Sequence, residues 1–190
     1  MFSSEFGAEV ITSFQSMSVW ELVAVVLALA YLLLAMWENI ACWYAAFIST
    51  LIYVFLFWDA SLLMESALQI YYLAMAVYGW WQWRHHANEN EDLTIHRWRL
   101  QTHLKIWVVL AALTVFSGYW LQQKTTAALP YLDSFTTWGA VITTYMVTRK
   151  VLENWLYWII IDGASIYLYI DRGMYLNALL FELYVVIVGF

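Results

Sequence analysis

Seven runs of nearly continuous apolar residues divide the chain, at 18–37, 40–58, 61–83, 103–122, 131–148, 152–170 and from 174 to the end. Each comes close to the roughly 20 residues that a membrane-crossing helix needs. The runs are continuous rather than alternating, which excludes a transmembrane barrel. The pattern predicts an all-α integral membrane protein with seven transmembrane helices, numbered here helix 1 to helix 7. A polar stretch at 84–102 separates helices 3 and 4. Residues 1–17 include Phe2, Phe6, Val10, Ile11 and Phe14, and are expected to form a short interfacial segment.

Composition agrees with the pattern. Hydrophobic residues are 64% of the chain and charged residues 12%, too few charges to cover a soluble domain. The net charge of −6 argues against a nucleic-acid partner. A single cysteine, Cys42, rules out an internal disulfide framework. The single proline, Pro130, precedes helix 5 and kinks nothing. Thirteen tryptophans exceed what interfacial belts need, so some are expected to line a path through the protein.

The cations set an orientation. Arg84, Arg97, Arg99, Lys105, Arg149 and Lys150 fall on one side, with Lys124 and Arg172 on the other. The excess of positive charge on cytoplasmic loops then places the N-terminus outside and the C-terminus in the cytoplasm. All eight basic residues lie at span ends. A retinal protein, which needs a Schiff-base lysine in its last helix, is therefore excluded.

The chain also carries an internal echo. Glu38-Asn39 stands four residues before Trp43, and Glu153-Asn154 stands four before Trp158, 115 positions later. Gly79 and Gly189 each sit late in an apolar helix before an aromatic residue. This predicts two three-helix units, 18–83 and 131–190, joined by the loop 84–102 and a linker helix at 103–122. With one linking helix the copies are parallel, and transporters commonly hold substrate between such halves. Helix 3 continues beyond Gly79 as Trp80-Trp81-Gln82-Trp83, whereas helix 7 stops at Phe190. The chain is expected to be cut short there.

Polar residues at membrane depth are costly and mark candidate sites. On helix 6, Asn154, Trp158, Asp162 and Ser165 fall within about 80° of one another. An amide, an aromatic plane, a carboxylate and a hydroxyl on one face suit an aromatic, polar or cationic ligand. Helix–helix hydrogen bonding is the competing reading. Helix 3 presents Glu65, Gln69, Tyr72, Ala76, Gly79 and Trp83 on one stripe, and helix 2 presents Asn39, Trp43, Ala46, Thr50 and Tyr53. In helix 7, Asn177 and Glu182 are flanked by apolar residues, and Glu182 is grouped with Asp162. His85, His86, His96 and His103 match no strong metal-ligand spacing and read as solvated loop residues. No P-loop, HExxH or GxSxG occurs, so no metal or cofactor is expected.

Two stretches carry a family resemblance. One is Arg149-Lys150-Val151-Leu152-Glu153-Asn154-Trp155-Leu156-Tyr157-Trp158. The other runs from Leu68-Gln69-Ile70-Tyr71-Tyr72 to Tyr78-Gly79-Trp80-Trp81-Gln82-Trp83. With the seven-span plan they make the chain similar to PnuC-type vitamin transporters over essentially its whole length. The resemblance implies a 3+1+3 helix arrangement similar in plan to SWEET sugar transporters. It implies facilitated uptake of nicotinamide riboside across the bacterial inner membrane, with trapping by cytoplasmic phosphorylation. Thiamine and riboflavin are the alternative substrates. It also singles out Gln69, Trp80, Gln82, Asn154, Trp155 and Trp158, and it often places Asn where this chain has Asp162.

The residues themselves favour an aromatic cation, since tryptophan faces and a buried carboxylate both suit one. No second charged relay is evident, so ion coupling is not expected. Partners are limited to the substrate, membrane lipid and further copies of the chain. An intramembrane enzyme built on Asp162 and Glu182, or a membrane scaffold, are the readings from other classes.

Overall fold

The computed structural model describes residues 18–59, 63–88, 94–124, 129–171 and 175–189. The expected interfacial segment 1–17 lies outside them. The architecture is all-helical. In chain order the helices are α1 (Val19–Met36), α2 (Cys42–Asp59), α3 (Leu63–Asn88), α4 (Leu100–Lys124), α5 (Pro130–Thr148), α6 (Asn154–Asp171) and α7 (Tyr175–Gly189). Among the described residues, α1, α2 and α4 are long and apolar enough to cross a membrane. Helices α3, α5 and α6 have 26, 19 and 18 residues. At ~1.5 Å per residue, 18 residues reach about 27 Å. Their Tyr, Trp, Thr, Asn and Asp content dilutes the apolar signal.

Two boundaries differ from the sequence expectation. Helix α3 runs on past Trp83 to Asn88, and α4 begins at Leu100. Arg84, His85 and His86 are polar but do not break helices. Polarity there marks the end of the apolar stretch, not of the helix.

The start of α1 is a capping arrangement. The Ser18 hydroxyl accepts the Glu21 N–H at 3.1 Å, satisfying one of the free donors of the first turn. The ends of α1 and α5 share a second device. At the first, Glu38 has φ 52°, its N–H donates to the Ala35 carbonyl, and the Asn39 N–H donates to Leu34. At the second, Lys150 has φ 53°, its N–H donates to Val147, and the Val151 N–H donates to Met146. Both are Schellman turns with a left-handed residue after the helix.

The element bounds repeat as well. Met36 and Thr148, Cys42 and Asn154, and Leu63 and Tyr175 are each 112 positions apart. In this register Trp43 corresponds to Trp155 and Thr50 to Asp162. The 115-position match of Glu38-Asn39 with Glu153-Asn154 is three residues away from it.

The chain forms two compact units, Gln15–Thr94 with Val147–Lys150, and Ile95–Met146 with Val151–Phe190. In the first, α2 packs against both α1 and α3. Ser49 donates to the Ala24 carbonyl at 2.8 Å and Ser66 to the Val54 carbonyl at 3.0 Å. These bonds join helices where no water competes. In the second unit α6 packs on α7. Helix α5 approaches α6 through Gly139, where a Cβ would come within 2.8 Å of Ile161. Ile161 is fully enclosed. Gly163, two residues further along α6, has open space around it.

Gly139→Ala is therefore expected to lower the detergent-phase melting temperature, by overpacking worth about 1–3 kcal/mol. Gly163→Ala is expected to raise it slightly, since alanine gains about 0.5–1 kcal/mol over glycine inside a helix. Thermal unfolding of both variants, followed by circular dichroism, checks the pair.

Candidate functional site

The first unit builds an aromatic box around Trp43. Its ring lies 5.3 Å from that of Trp83 at 86°, edge to face, and 6.0 Å from that of Tyr31. A Cβ at Gly79 would collide with the Trp43 indole. The glycine is thus what lets the ring lie against α3. Trp43 is 2% exposed, and among the described residues its indole N–H has no hydrogen-bond partner. A buried donor left open costs about 1–3 kcal/mol, so it is poised for an acceptor. Gln82 is buried on the same unit.

One edge of the box is charged. Trp83 donates its indole N–H to the Thr148 carbonyl at 3.2 Å. The Lys150 ammonium stands 4.7 Å from the Trp83 ring centre and 2.8 Å from a Glu38 carboxylate oxygen. The two left-handed turn residues are therefore ion-paired to each other. This group was not singled out in the sequence, because Glu38 and Lys150 read as ordinary span-end charges. The signal that could have found it is the shared turn backbone, which glycine usually flags and which here falls on Glu and Lys.

The second unit holds the helix 6 stripe. Asn154, Asp162 and Ser165 are buried, while Trp155 and Trp158 are half-buried. Asn154 opens α6 and donates its side-chain amide to the Val151 carbonyl at 2.6 Å, which fixes the head of the helix. Among the described residues its Oδ1 has no partner. Asp162 is 4% exposed, and its Oδ1 likewise lacks a partner among the described residues. Ser165 donates to the Ile161 carbonyl at 2.9 Å, a back-bond within the helix.

Tyr157 lies on the adjoining face of α6. It stacks on Trp107 at 5.3 Å and 23°, and its hydroxyl meets His103 Nδ1 at 3.0 Å. Glu153 lies 3.8 Å from the other His103 nitrogen and accepts the Trp98 N–H at 3.4 Å. The Leu152 N–H donates to the His96 carbonyl at 3.0 Å. His103 thus departs from the solvated-loop reading: it is inside α4 and half-buried. The sequence could not show this, because α4 begins three residues earlier than its apolar run.

The remaining candidates divide. Gln69 and Tyr72 are half-buried on α3. Trp80 is half-buried and already engaged, donating its indole N–H to the Tyr44 hydroxyl at 2.9 Å under Arg84 at 5.0 Å. Asn39 is exposed and accepts the Ala41 N–H at 2.9 Å, so it belongs to the turn. Glu182 is exposed on α7 and is not brought together with Asp162. Apolar neighbours along a chain do not reveal which face of a helix a residue takes. The side chains of Glu65 and Asn177 lie outside the described residues.

Gly79→Ala should expel the Trp43 ring from its seat and lower thermal stability by about 1–3 kcal/mol. Gly79→Ala combined with Trp43→Ala should be more stable than the two separate losses added together. A double-mutant cycle on melting temperature reads this coupling.

The family model described as "Nicotinamide mononucleotide transporter" matches residues 18–190. The nicotinamide riboside transporter PnuC of Escherichia coli is 26% identical over 184 residues, covering 84% of this chain and 77% of that protein. The riboflavin/roseoflavin transporter RibM of Streptomyces davaonensis is 24% identical, covering 94% and 85%. A crystal structure of the vitamin B3 transporter PnuC matches with a TM-score of 0.66 at 20% identity, covering 96% of this chain and 87% of that one. That likeness shows a shared fold. The chain is a membrane transporter rather than an enzyme, and it belongs to the nicotinamide mononucleotide transporter family.

Proposed function

We propose that the protein takes up nicotinamide riboside by facilitated diffusion across the bacterial inner membrane, cytoplasmic phosphorylation trapping the product. The observation that carries this reading is the buried polar face of α6, an amide and a carboxylate with open oxygens beside Trp155 and Trp158. Tryptophan faces attract a pyridinium ring by cation–π attraction, worth about 2 kcal/mol or more when desolvated. The Asn154 oxygen accepts a carboxamide or ribose donor. Gln69, Tyr72 and Gln82 on α3, with the indole N–H of Trp43, are the candidate polar groups of the first unit. The PnuC relative supports this substrate. The RibM relative keeps riboflavin as the second reading, with thiamine beside it.

The 112-position repeat of helix bounds supports a 3+1+3 plan, with α1–α3 and α5–α7 as copies and α4 as the link. One copy rocking against the other is the alternating-access motion this plan favours. The distribution of Arg and Lys supports an outside N-terminus and a cytoplasmic C-terminus.

Calorimetric titration of the detergent-solubilised protein with nicotinamide riboside, riboflavin and thiamine in parallel tests the assignment. Nicotinamide riboside should bind at one site and most tightly. Asn154→Ala and Trp158→Ala should each weaken that binding by at least about tenfold, ~1.4 kcal/mol. Equal affinity in both variants and the parent removes α6 from the site. Tightest binding of riboflavin moves the substrate assignment and leaves the family intact.

A further inference from the structure

Helix α6 is held along one side by a single stretch of chain, residues 96–107. The His96 carbonyl accepts the Leu152 N–H at 3.0 Å, and the Trp98 N–H donates to Glu153 Oε2 at 3.4 Å. In the first turn of α4, His103 Nδ1 meets the Tyr157 hydroxyl at 3.0 Å, and its Nε2 stands 3.8 Å from the same Glu153 oxygen. Trp107 stacks on Tyr157, and on its own account on Phe135 of α5 at 6.4 Å and 19°. The His103 side chain is 13% exposed. A carboxylate beside Nε2 favours a proton on that nitrogen, which leaves Nδ1 to accept from the Tyr157 hydroxyl. One imidazole thus engages the residue that precedes α6 and a residue of its first turn.

The spacing gives this contact a purpose. Glu153 and Tyr157 fall about 40° apart around the helix axis, and Asn154, Trp158, Asp162 and Ser165 fill an adjoining arc of about 80°. Each held residue immediately precedes a residue of the proposed substrate face: 153 before Asn154, 157 before Trp158. Side chains end roughly 5–6 Å from a helix axis, so a 10° rotation of α6 moves their tips by about 1 Å. A binding constellation tolerates only about 0.5 Å and 10–20°. The polar face does not fix that rotation itself. Asn154 donates to Val151 and Ser165 to Ile161, both within the same stretch of chain.

We infer that His103 is a positioning residue: through Tyr157 and Glu153 it sets the rotation of α6 and so aims Asn154 and Trp158 at the substrate. It rests on the reading of α6 as the substrate face, and it gives α4 a task beyond joining two halves. His103 does not touch the substrate. Its loss lowers apparent affinity in proportion to the fraction of molecules in which the face is set.

Calorimetric titration of detergent-solubilised variants with nicotinamide riboside tests this, with the melting temperature of each variant measured alongside. His103→Ala and Tyr157→Phe should each weaken binding about five- to tenfold. The double variant should bind no more weakly than either, because both changes remove one contact. His103→Asn keeps an acceptor in the place of Nδ1 and should bind within about twofold of the parent. Ser66→Ala loses the bond to Val54 in the other unit, and should lower the melting temperature while leaving affinity unchanged. Parent-like affinity in His103→Ala and Tyr157→Phe overturns the inference; weakened binding by Asn154→Ala and Trp158→Ala then leaves the site reading standing. Additive losses in the double variant also overturn it. So does an equal loss of affinity in Ser66→Ala, since affinity would then follow stability rather than position. Parent-like binding by Asn154→Ala and Trp158→Ala removes both readings. Tyr157→Phe keeps the ring that stacks on Trp107, so it decides alone should His103→Ala fail to fold.

Discussion

Hydrocarbon offers a polar group no water, so every donor and acceptor carried into the membrane must find its partner inside the protein. Most of the hydrogen bonding described above answers that demand. Thr143, Thr144 and Ser165 turn their hydroxyls back to carbonyls one turn earlier on their own helices. Ser49 and Ser66 reach a neighbouring helix instead. Trp80, Trp83 and Trp138 each place the indole N–H on a hydroxyl or carbonyl. Against this background, the indole of Trp43, the open oxygens of Asn154 and Asp162, His103 Nε2 and the hydroxyls of Thr114 and Ser134 have no hydrogen-bond partner among the described residues. The unmet valences of Trp43, Asn154 and Asp162 are at the same time the chemistry available to a polar passenger.

The two units meet this demand in different ways. The first gives up little charge to the interior: its box is aromatic, closed by a glycine, and its ion pair lies at a turn. The second places an amide and a carboxylate on one face of a single helix. A ring needs apolar planes and an attached sugar or amide needs donors and acceptors. A transporter of such a molecule needs both kinds of surface.

Much of this was legible in the sequence, for identifiable reasons. Seven apolar runs announce seven helices because a membrane helix is apolar on all sides. The α6 stripe was visible because a 3.6-residue period and four unlike polar side chains leave few alternatives. The ends of α3 and α4 were hidden because a polar residue can leave the apolar layer without leaving the helix. Glu182 was hidden because its face is settled by what α7 packs against. The spacing of Glu38-Asn39 and Glu153-Asn154 is three residues away from the spacing of the helix bounds. The two matching turns after α1 and α5 escaped notice because their left-handed residues are Glu and Lys rather than the glycine that would advertise such a turn. His103 was misplaced for the same reason as the start of α4.

The ion pair between those turn residues has a consequence of another kind. Glu38 and Lys150 occupy the same position in two copies of one backbone device, and they touch. Two turns that both ended in glutamate, or both in lysine, would set like charges against each other beside the Trp83 ring. Opposite signs at equivalent places of the two turns therefore make their pairing selective: each turn fits the other and neither fits its own kind.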